Sequence, residues 1–480
     1  MVLNPFYKRI TKSHWVFCNT LFILKKLACN MMFLLLLAKF KIDIDKMKEK
    51  EKGIALLMGL VFMGMGAHAQ TEPLKRMAIM SDVHLMAPEL LKKEGKAFDD
   101  YIIHDRKMLA QSPELLDSAC ANVEKFHPQV VLITGDLTKD GELVSHQLLV
   151  SRYLQPMRNQ GIRVFVIPGN HDVNNPHAVV YDGDDAKRTT TISKDDFARI
   201  YNDFGYGNAI ARDSHSLSYV VQLDSKTRLF AVDACEYEDN DFDKNICVTA
   251  GRIKPETLRF IRQQAEDAHQ KGMEVMMMMH HGLVRHFAWQ DRVMKEYLVD
   301  HWKKNVKKIA KMGIKICFTG HFHAQDAAEK YHITDVETGS TVSYPHPYRL
   351  LDVDTDAGTL SIKSEHIKEL SSMKNASKTL VQKSERYANS AVNSVAENMI
   401  PAKVPTDVKK ECSDVLGEAY AMHLAGDEHR STAFDTKFKA AVKHLRHYSW
   451  KWAFIMKRIG KYLSQDTGVS DNNLVIRYKR

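Results

Sequence analysis

The sequence predicts a layered α/β fold followed by a small all-α domain at the C-terminus. Short apolar runs that are typical of buried strands recur at 77–85, 130–141, 164–172, 228–235, 274–282 and 314–326. Segments with apolar residues at helical spacing, such as 112–126 and 256–272, lie between several of these runs. Strands that alternate with helices are typical of α/β layers, in which sites form beyond the carboxyl ends of the strands.

The strand pattern ends with a predicted hairpin, and a helical pattern follows it. The runs "YRLLDVD" and "LSIKSEHI" flank the turn residues "DTDAGT", which is the usual signal of a β-hairpin. From about residue 370 the chain is helical in pattern and has little strand character, with a break at "PAKVPTD". We therefore place the main domain at 70–369 and the helical domain at 370–480.

The segment 47–69 has the features of a secretory signal peptide. A lysine-rich start at Met47 is followed by a short apolar run and by Ala-His-Ala, and this order predicts cleavage after Ala69. The expected location is therefore secreted or periplasmic. Residues 1–46 are a doubtful extension: either the true start is Met47, or the extension is translated and anchors the chain in a membrane.

The positive charge of the chain is concentrated at its two ends. The formal net charge is +9, of which 1–69 contribute +7 and 431–480 contribute +8, so that 70–430 carry −6. An acidic main body disfavours nucleic acid as a partner. The alternative classes that remain are enzymes and binding modules for smaller, charged ligands.

The predicted mature chain keeps an odd number of cysteines, so at least one thiol has no partner within the chain. They are Cys120, Cys235, Cys247, Cys317 and Cys412. Cys235 and Cys247 flank an acidic loop and could form a disulfide in an oxidising compartment. The alternative is that both are buried, unreactive thiols.

Side chains that bind metals follow five of the predicted strands. They are carboxylates, an amide and imidazoles: Asp82 and His84, Asp136, Asn170 with His171 and Asp172, His280 with His281, and His321 with His323. Oxygen and nitrogen ligands without a thiolate suit Mn, Fe or Zn rather than Ca or a structural zinc. The set exceeds the needs of one ion, so we expect two metal ions about 3.5–4 Å apart that share a carboxylate.

The spacing of these residues restricts their roles. In Asp82-x-His84 and in the second such pair, His321-x-His323, the two side chains point the same way if the backbone is extended. Neighbouring residues point apart, so we expect only one of the adjacent histidines at 280 and 281 to bind metal. By the same rule, one of the residues 170 and 171 faces the metal and the other faces the substrate.

Taken in order, the motifs D-x-H, G-D-x-x-x-x-G, G-N-H-D, H-H and G-H-x-H resemble those of the calcineurin-like metallophosphoesterases over roughly 75–365. The resemblance implies a four-layer β-sandwich, in which two mixed sheets are flanked by helices. The segment "ETGSTVSYPHPYR" is similar to that of secreted bacterial members with a C-terminal helical domain. Some of these look like class III cyclic-nucleotide phosphodiesterases.

The resemblance also implies a role for each candidate residue. One metal ion would be held by Asp82, His84, Asp136 and His323. The other would be held by Asp136, Asn170, His280 and His321, with Asp136 as the bridge. His171 corresponds to the histidine that faces the substrate, and Asp172 is expected to orient it. Relatives often have Pro two residues after the first histidine of H-H, whereas this chain has Gly282, which leaves His281 as the competing ligand.

The implied reaction is hydrolysis of a phosphoester, with a phosphodiester as the expected substrate. Two cations lower the pKa of a bridging water, and the resulting hydroxide attacks phosphorus in line. His171 would stabilise the transition state and protonate the leaving oxygen. The alternatives are a phosphomonoesterase or nucleotide pyrophosphatase on the same site, and, in a different class, a non-catalytic module that binds phosphate or lipid. A nuclease is disfavoured by the acidic body and the export signal.

Two further segments are candidates for substrate binding. The long loop after His84 begins close to the expected metals, and within it His104, Asp105, Arg106 and Lys107 either reach the substrate or form a solvated helical face. The predicted last helix, 441–463, carries an apolar stripe and many basic residues. We expect it to pack on its own domain with a basic outer face. Peripheral contact with anionic lipid headgroups is the main alternative, and nucleic acid is a third.

Overall fold

The computed structural model describes residues 72–480, apart from His104, 375–378, 466–468 and Arg480, and apart from the side chains at 391 and 394–398. The predicted extension 1–46 and the predicted signal peptide 47–69 lie outside the described residues. So does His104, one of the candidate substrate-binding residues of the first long loop.

The strands match the predicted apolar runs and include several shorter ones. In chain order they are β1 (Arg76–Met80), β2 (Leu91–Lys93), β3 (Val130–Ile133), β4 (Arg163–Val166), β5 (Val179–Asp182), β6 (Asp185–Arg188), β7 (Ala211–Arg212), β8 (Tyr219–Gln222), β9 (Thr227–Val232), β10 (Glu274–Met279), β11 (Ile316–Thr319), β12 (Asp326–Lys330), β13 (Ile333–Glu337), β14 (Pro347–Asp354), β15 (Thr359–His366) and β16 (Asn473–Arg477).

The α-helices lie between the strands and, in greater length, after them. In chain order they are α1 (Lys96–Ile102), α2 (Ser112–Lys125), α3 (Leu143–Leu148), α4 (Gln155–Asn159), α5 (Lys194–Ile200), α6 (Pro255–Gln270), α7 (Gln290–Val293), α8 (Trp302–Lys311), α9 (Leu380–Met399), α10 (Thr406–Ala425), α11 (Thr432–Tyr448) and α12 (Trp450–Leu463).

Two mixed sheets form the body of the protein. The first has the order β16-β15-β14-β1-β3-β4, and the second has the order β12-β13-β11-β10-β9-β8-β7. Strands β1, β3 and β4 are parallel neighbours in the first sheet, as are β9, β10 and β11 in the second. The predicted hairpin is confirmed by the antiparallel pairing of β14 with β15. A small third sheet has the order β2-β5-β6.

Alternate side chains of β10 show how the layers pack. Met276 and Met278 belong to the large core that contains residues of both sheets. Met277 and Met279 point the other way, into a second core that includes Ile261 of α6. A strand that is buried on both faces needs apolar residues at every position, which explains the uninterrupted methionine run. These cores confirm the predicted arrangement of two mixed sheets with flanking helices.

The C-terminal region is helical over α9–α12, as predicted, but it differs from the prediction in two places. The segment predicted as one helix is divided into α11 and α12, because Ser449 is extended and its hydroxyl caps the backbone amide of Trp452. The chain then returns to the first sheet, where β16 pairs antiparallel with β15. The last residues are therefore part of the sheet rather than of an all-helical unit.

A buried group of charged side chains joins the helices to the second sheet. His423 of α10 lies 2.7 Å from the carboxylate of Glu428 and 3.6 Å from that of Asp326. Asp326 of β12 is in turn 2.6 Å from Nδ1 of His286. Burial lowers the pKa of His423, but Glu428 and Asp326 outweigh it and raise the pKa above its usual value. These contacts hold α10 beside β12 of the second sheet.

Among the described residues, no helix has both the length and the apolar character needed to cross a bilayer.

Candidate metal centre and cavity

Residues that immediately follow five parallel strands meet between the two sheets. Asp82 and His84 follow β1, Asp136 follows β3, and Asn170 and His171 follow β4, all in the first sheet. His280 follows β10, and His321 and His323 follow β11 in the second sheet. All are buried except His171, which is partly exposed. The packing of the two sheets thus places all the predicted ligand positions at one edge.

The first group consists of four side chains, Asp82, His84, Asp136 and His323, whose ligand atoms all lie within 4.8 Å of one another. Nε2 of His323 is 3.2 Å from a carboxylate oxygen of Asp82. Nε2 of His84 is 3.3 Å from Nε2 of His323 and 3.5 Å from the carboxylate of Asp136. Ring nitrogens and carboxylate oxygens therefore converge on one small volume.

The second group shares Asp136 with the first and adds His280 and His321. Nε2 of His280 is 3.3 Å from the Asp136 carboxylate and 3.2 Å from the side-chain oxygen of Asn170. The residues of both groups are those that the sequence predicts for two metal ions with Asp136 between them. The second group includes only one of the adjacent histidines, His280.

The electrostatics of these groups fit divalent cations. Burial raises the pKa of Asp136, but His280 and other histidines outweigh it, so that the pKa lies well below its usual value. Burial likewise disfavours a charged His280, yet Asp136 and Asp82 raise its pKa to about 9. Burial lowers the pKa of His84 well below its usual value, which leaves a neutral imidazole with a free lone pair. The centre thus combines unshared lone pairs with carboxylates that attract positive charge.

Five of these residues adopt the left-handed backbone conformation, which is uncommon for residues other than glycine. The φ angles are 49° at Asp82, 37° at His84, 48° at Asp136, 74° at His321 and 70° at His323. The condition of an extended backbone, under which the two side chains of D-x-H or H-x-H would point the same way, is therefore not met in either motif. As a result the two histidines of H-x-H belong to different groups. Such conformations cost about 1–3 kcal/mol each and are concentrated at functional sites.

Two glycines of the motifs are required because other atoms approach them closely. A Cβ atom at Gly169 would lie 2.1 Å from a carboxylate oxygen of Asp136. A Cβ atom at Gly320 would lie 2.0 Å from the hydroxyl of Ser81 and 2.4 Å from the carboxylate of Asp82. Any larger residue at these two positions would displace the carboxylate of Asp136 or Asp82. The glycines are therefore needed to keep these predicted ligands in place.

Second-layer contacts distinguish His280 from His281. Nδ1 of His280 donates to the carbonyl oxygen of Thr134, 2.9 Å away, which directs Nε2 toward Asp136. His281 is also buried, but its Nε2 faces the carbonyl oxygen of Thr249 at 3.0 Å. Burial and the neighbouring His280 lower the pKa of His281 to about 3. The geometry favours His280 as the ligand and His281 as a packed, neutral neighbour.

His171 is oriented by Asp140 and not by Asp172, which corrects the sequence prediction. Nδ1 of His171 lies 2.8 Å from the carboxylate of Asp140 and 2.8 Å from the carbonyl oxygen of Lys139. Nε2 faces the centre, 4.0 Å from the Asp136 carboxylate. Burial lowers the pKa of His171, but Asp136 and Asp140 together raise it above its usual value. These two carboxylates therefore favour the protonated form of His171, whose ring lies beside the first ligand group.

Asp172 has a structural role instead. One carboxylate oxygen accepts the amides of Leu137 and Gly169, and the other accepts the amide and hydroxyl of Thr138, all within 3.0 Å. It thereby joins the loop after β3 to the loop after β4. Asp140 lies in "GDLTKDG", and its carboxylate also accepts from the buried ammonium of Lys139. Nothing in that motif alone indicates that Asp140 contacts His171.

The first long loop contributes positive charge to the centre. Arg106 donates to the hydroxyl of Tyr420 in α10 and, at 3.2 Å, to the carbonyl oxygen of Phe322. Its Nε lies 3.3 Å from Nδ1 of His323. Lys107 is buried, and both Arg106 and Lys107 line the cavity together with Asp105. At residues 105–107 the segment therefore lines the cavity and does not form a solvated helical face.

A cavity of about 520 Å³ opens directly from the centre. The polar side of the cavity includes Asp136, Asn170, His171, His321 and His323. The opposite side is apolar and comes from the α7 region and from α9–α12. The sequence predicts neither this cavity nor its wall, because the helices that form the wall lie more than two hundred residues after the first metal motif.

The predicted alternative of a disulfide between Cys235 and Cys247 is not present, since both thiols are free. Cys235 is buried and its thiol faces the carbonyl oxygen of Pro168 at 3.3 Å. The thiol of Cys247 is 3.5 Å from the carbonyl oxygen of Asn170. Both cysteines pack against the loop that carries Asn170.

Comparison with solved structures finds related folds at low identity. A dimetal phosphatase from Danio rerio is 12% identical, with 62% of this chain and 97% of that chain covered and a TM-score of 0.45. A phosphopantetheinyl hydrolase from Mycobacterium tuberculosis is 10% identical, covering 56% and 90%, with a TM-score of 0.27. GAP50, the anchor in the inner membrane complex of Plasmodium, is 8% identical, covering 61% and 84%, with a TM-score of 0.34.

A comparison with curated proteins gives no match. The family model of the calcineurin-like phosphoesterases matches residues 75–325, just over half of the chain. This range begins at β1 and ends after the H-x-H motif, so it contains every predicted ligand. The chain therefore belongs to the calcineurin-like phosphoesterase family, and it is a hydrolase that cleaves phosphoesters with the help of a dinuclear metal centre.

Proposed function

We propose that the protein hydrolyses phosphodiesters at two metal ions that share Asp136. One ion would be held by Asp82, His84, Asp136 and His323, and the other by Asp136, Asn170, His280 and His321. The observation that carries this proposal is the pair of buried groups that share a single carboxylate. Mn, Fe and Zn all suit these oxygen and nitrogen ligands.

The bound ions would supply an activated water and neutralise the phosphoryl oxygens. The chain's own residues supply the rest of the chemistry. Nε2 of His171 faces the centre and can give its proton to the leaving oxygen as the P–O bond breaks and the water oxygen bonds to phosphorus. Asp140 holds the ring in this orientation. Arg106 and Lys107 place positive charge beside the phosphoryl group.

Preference for a diester is supported by the shape of the cavity. A diester needs space for a second substituent on phosphorus, and the cavity continues from His171 to the apolar wall. Phosphomonoesters and nucleotide pyrophosphates are the alternatives on the same centre. A non-catalytic module that binds phosphate or lipid is the alternative of a different class, and the complete ligand set argues against it. Nuclease activity is disfavoured by the net charge of −6 in residues 70–430.

Two measurements test the proposed activity, one on the unaltered protein and one on a variant of the shared carboxylate. The unaltered Mn²⁺-loaded protein is expected to hydrolyse bis-p-nitrophenyl phosphate faster than the p-nitrophenyl monoester. Asp136→Asn should lose most of the metal and nearly all turnover, because both ions lose their common negative ligand. Metal analysis and steady-state rates measure the two effects. Two ions per chain with normal turnover in this variant would contradict the assignment, and faster monoester hydrolysis would contradict diester preference.

The adjacent histidines provide a matched pair of variants. His280→Ala should reduce the metal content from two ions to about one per chain, because it removes a ligand of the second group. His281→Ala should retain about two ions, since its ring faces the carbonyl oxygen of Thr249. Both variants remove a buried imidazole, so each is the control for the other in metal analysis. The reverse pattern would identify His281 as the ligand.

His171→Ala should retain both metal ions and lose about 10²–10⁴-fold in kcat, as expected for the loss of a general acid. The loss should be larger for an alkyl leaving group than for p-nitrophenolate, which departs without a proton. Equal losses on both esters would eliminate the acid role, and loss of metal would contradict the geometry.

The partner of His171 can be tested through the pH profile. A general acid must be protonated, so activity falls as the pH rises through its pKa. Asp140→Asn removes a charge that raises this pKa, and the alkaline limb should move to lower pH by about one unit. Asp172→Asn is the control: it should leave the limb in place and lower the free energy of unfolding by about 1–3 kcal/mol. If the alkaline limb moved in Asp172→Asn and not in Asp140→Asn, Asp172 would be the residue that orients His171, as the sequence predicts.

We also propose that the protein is exported, on the basis of the charged, apolar and Ala-His-Ala segments from Met47 to Ala69. A gene that begins at Met47 should yield a mature protein whose N-terminal residue is Gln70. Mass spectrometry of the protein from culture medium and periplasm measures this. An uncleaved chain in the cytoplasm would contradict both the cleavage site and the location.

A further inference from the structure

We propose that the cavity beside the metal centre binds the apolar chain of an amphiphilic phosphoester, drawn from an anionic lipid surface. The inference rests on the proposed function and names its substrate class. The helices that follow the family domain contribute most of the apolar wall. Its residues are Val392, Met399, Ile400, Leu416, Leu445, Trp452, Ile455, Met456, Ile459 and Leu463.

The wall is a binding surface and not simply the core of the helical region. Leu445, Met456 and Leu463 are buried and pack within that core. Ile455 and Ile459 also line the cavity but remain partly exposed. A nucleotide or a sugar would bury little apolar surface against this wall. An alkyl chain would bury much more, and each buried methylene stabilises the complex by about 0.8 kcal/mol.

The cavity lining changes from metal ligands to positive charges to apolar side chains. An amphiphilic phosphoester has a matching arrangement, with a charged phosphoryl group at one end and an apolar chain at the other. Arg106 is held by the hydroxyl of Tyr420 and the carbonyl oxygen of Phe322, and Tyr420 itself lines the cavity. Arg106 and Lys107 thus lie between the metal ligands and the apolar wall. A phosphoryl group at the centre would place its chain along α12, past these two positive charges.

The outer face of the same helix is suited to an anionic lipid surface. Trp450 is 75% exposed and Phe454 is 47% exposed, and exposed Lys451, Lys457 and Arg458 lie among them. Exposed aromatic and basic residues together are typical of helices that lie in a membrane interface. The net charge of +8 in residues 431–480 complements anionic headgroups.

The cavity opens on the solvent side through its apolar wall. Met399 lines the cavity and is 52% exposed, and Val293 lines it and is 37% exposed. The proposed entry for the apolar chain is therefore at this exposed side of the cavity, beside Met399 and Val293.

A series of soluble esters tests the chain-binding cavity. Ethyl, butyl and octyl p-nitrophenyl phosphates share the reacting bond and differ in the chain. In the full-length Mn²⁺-loaded protein, KM should fall by up to about fourfold for each methylene that becomes buried, and at least about tenfold from ethyl to octyl. Ile455→Glu should abolish this dependence, because it places a charge in the wall. Val475→Glu, on an exposed residue of β16, should keep it.

The outcomes separate the two proposals. If the ethyl ester is not hydrolysed, the proposed function fails regardless of the chain. If all three esters are hydrolysed with the same KM, the function stands and the chain-binding cavity is refuted. Equal chain dependence in Ile455→Glu and Val475→Glu would also refute it.

Binding without turnover gives a second measurement. Octylphosphonate, which has no phosphoester bond to hydrolyse, should bind the full-length Mn²⁺-loaded protein with a negative heat-capacity change, the mark of buried apolar surface. Binding should be weakened at least tenfold by Ile455→Glu and not by Val475→Glu. Calorimetry that detects no binding, or equal binding in both variants, overturns the cavity assignment.

The lipid surface is tested with vesicles. The protein should sediment with phosphatidylglycerol vesicles and much less with phosphatidylcholine vesicles, and the double variant Trp450→Ser/Phe454→Ser should reduce the bound fraction at least fivefold. Equal binding to both vesicles, or no effect of the double variant, would exclude α12 as the contact with an anionic surface.

Discussion

The organisation of the centre depends on the carboxylate of Asp136. One of its oxygens lies 3.3 Å from His280 and 3.5 Å from His84, which belong to different sheets. The other accepts the backbone amide of His171 at 3.0 Å. A single buried side chain therefore connects both ligand groups and holds the backbone of His171. Its position directly after β3, between the parallel strands β1 and β4, makes this possible.

Strained backbone at the ligands is tolerated because the strands before them are firmly held. Asp82, Asp136 and His321 each follow a strand whose apolar residues are fully buried. The rigid core supplies the free energy that offsets the left-handed conformations, each of which costs about 1–3 kcal/mol. Burial of the ligands also lowers the local dielectric constant, which strengthens the electrostatic interactions among them. Stability of the sheets and reactivity of the centre are thus linked.

The helical region has a more direct role than that of an appended domain. Tyr420 of α10 holds Arg106 beside the centre, and His423 of the same helix is paired with Asp326 of β12 and with Glu428. These contacts position the apolar wall over the metal ligands. The family domain carries both ligand groups, and the helices that follow it line the apolar side of the cavity.

The sequence by itself predicted the longer buried strands and the carboxylates and imidazoles that follow them, because buried parallel strands leave continuous apolar runs and their polar ends are contiguous in the chain. It did not determine which residue orients His171, since Asp140 meets that ring only when the loops after β3 and β4 fold against each other. It also did not show that β16 joins the first sheet. The cavity, the left-handed ligands and the contact between Arg106 and Tyr420 were decided by the tertiary structure alone. Each of them depends on atoms that are distant in sequence, and local periodicity carries no information about such contacts.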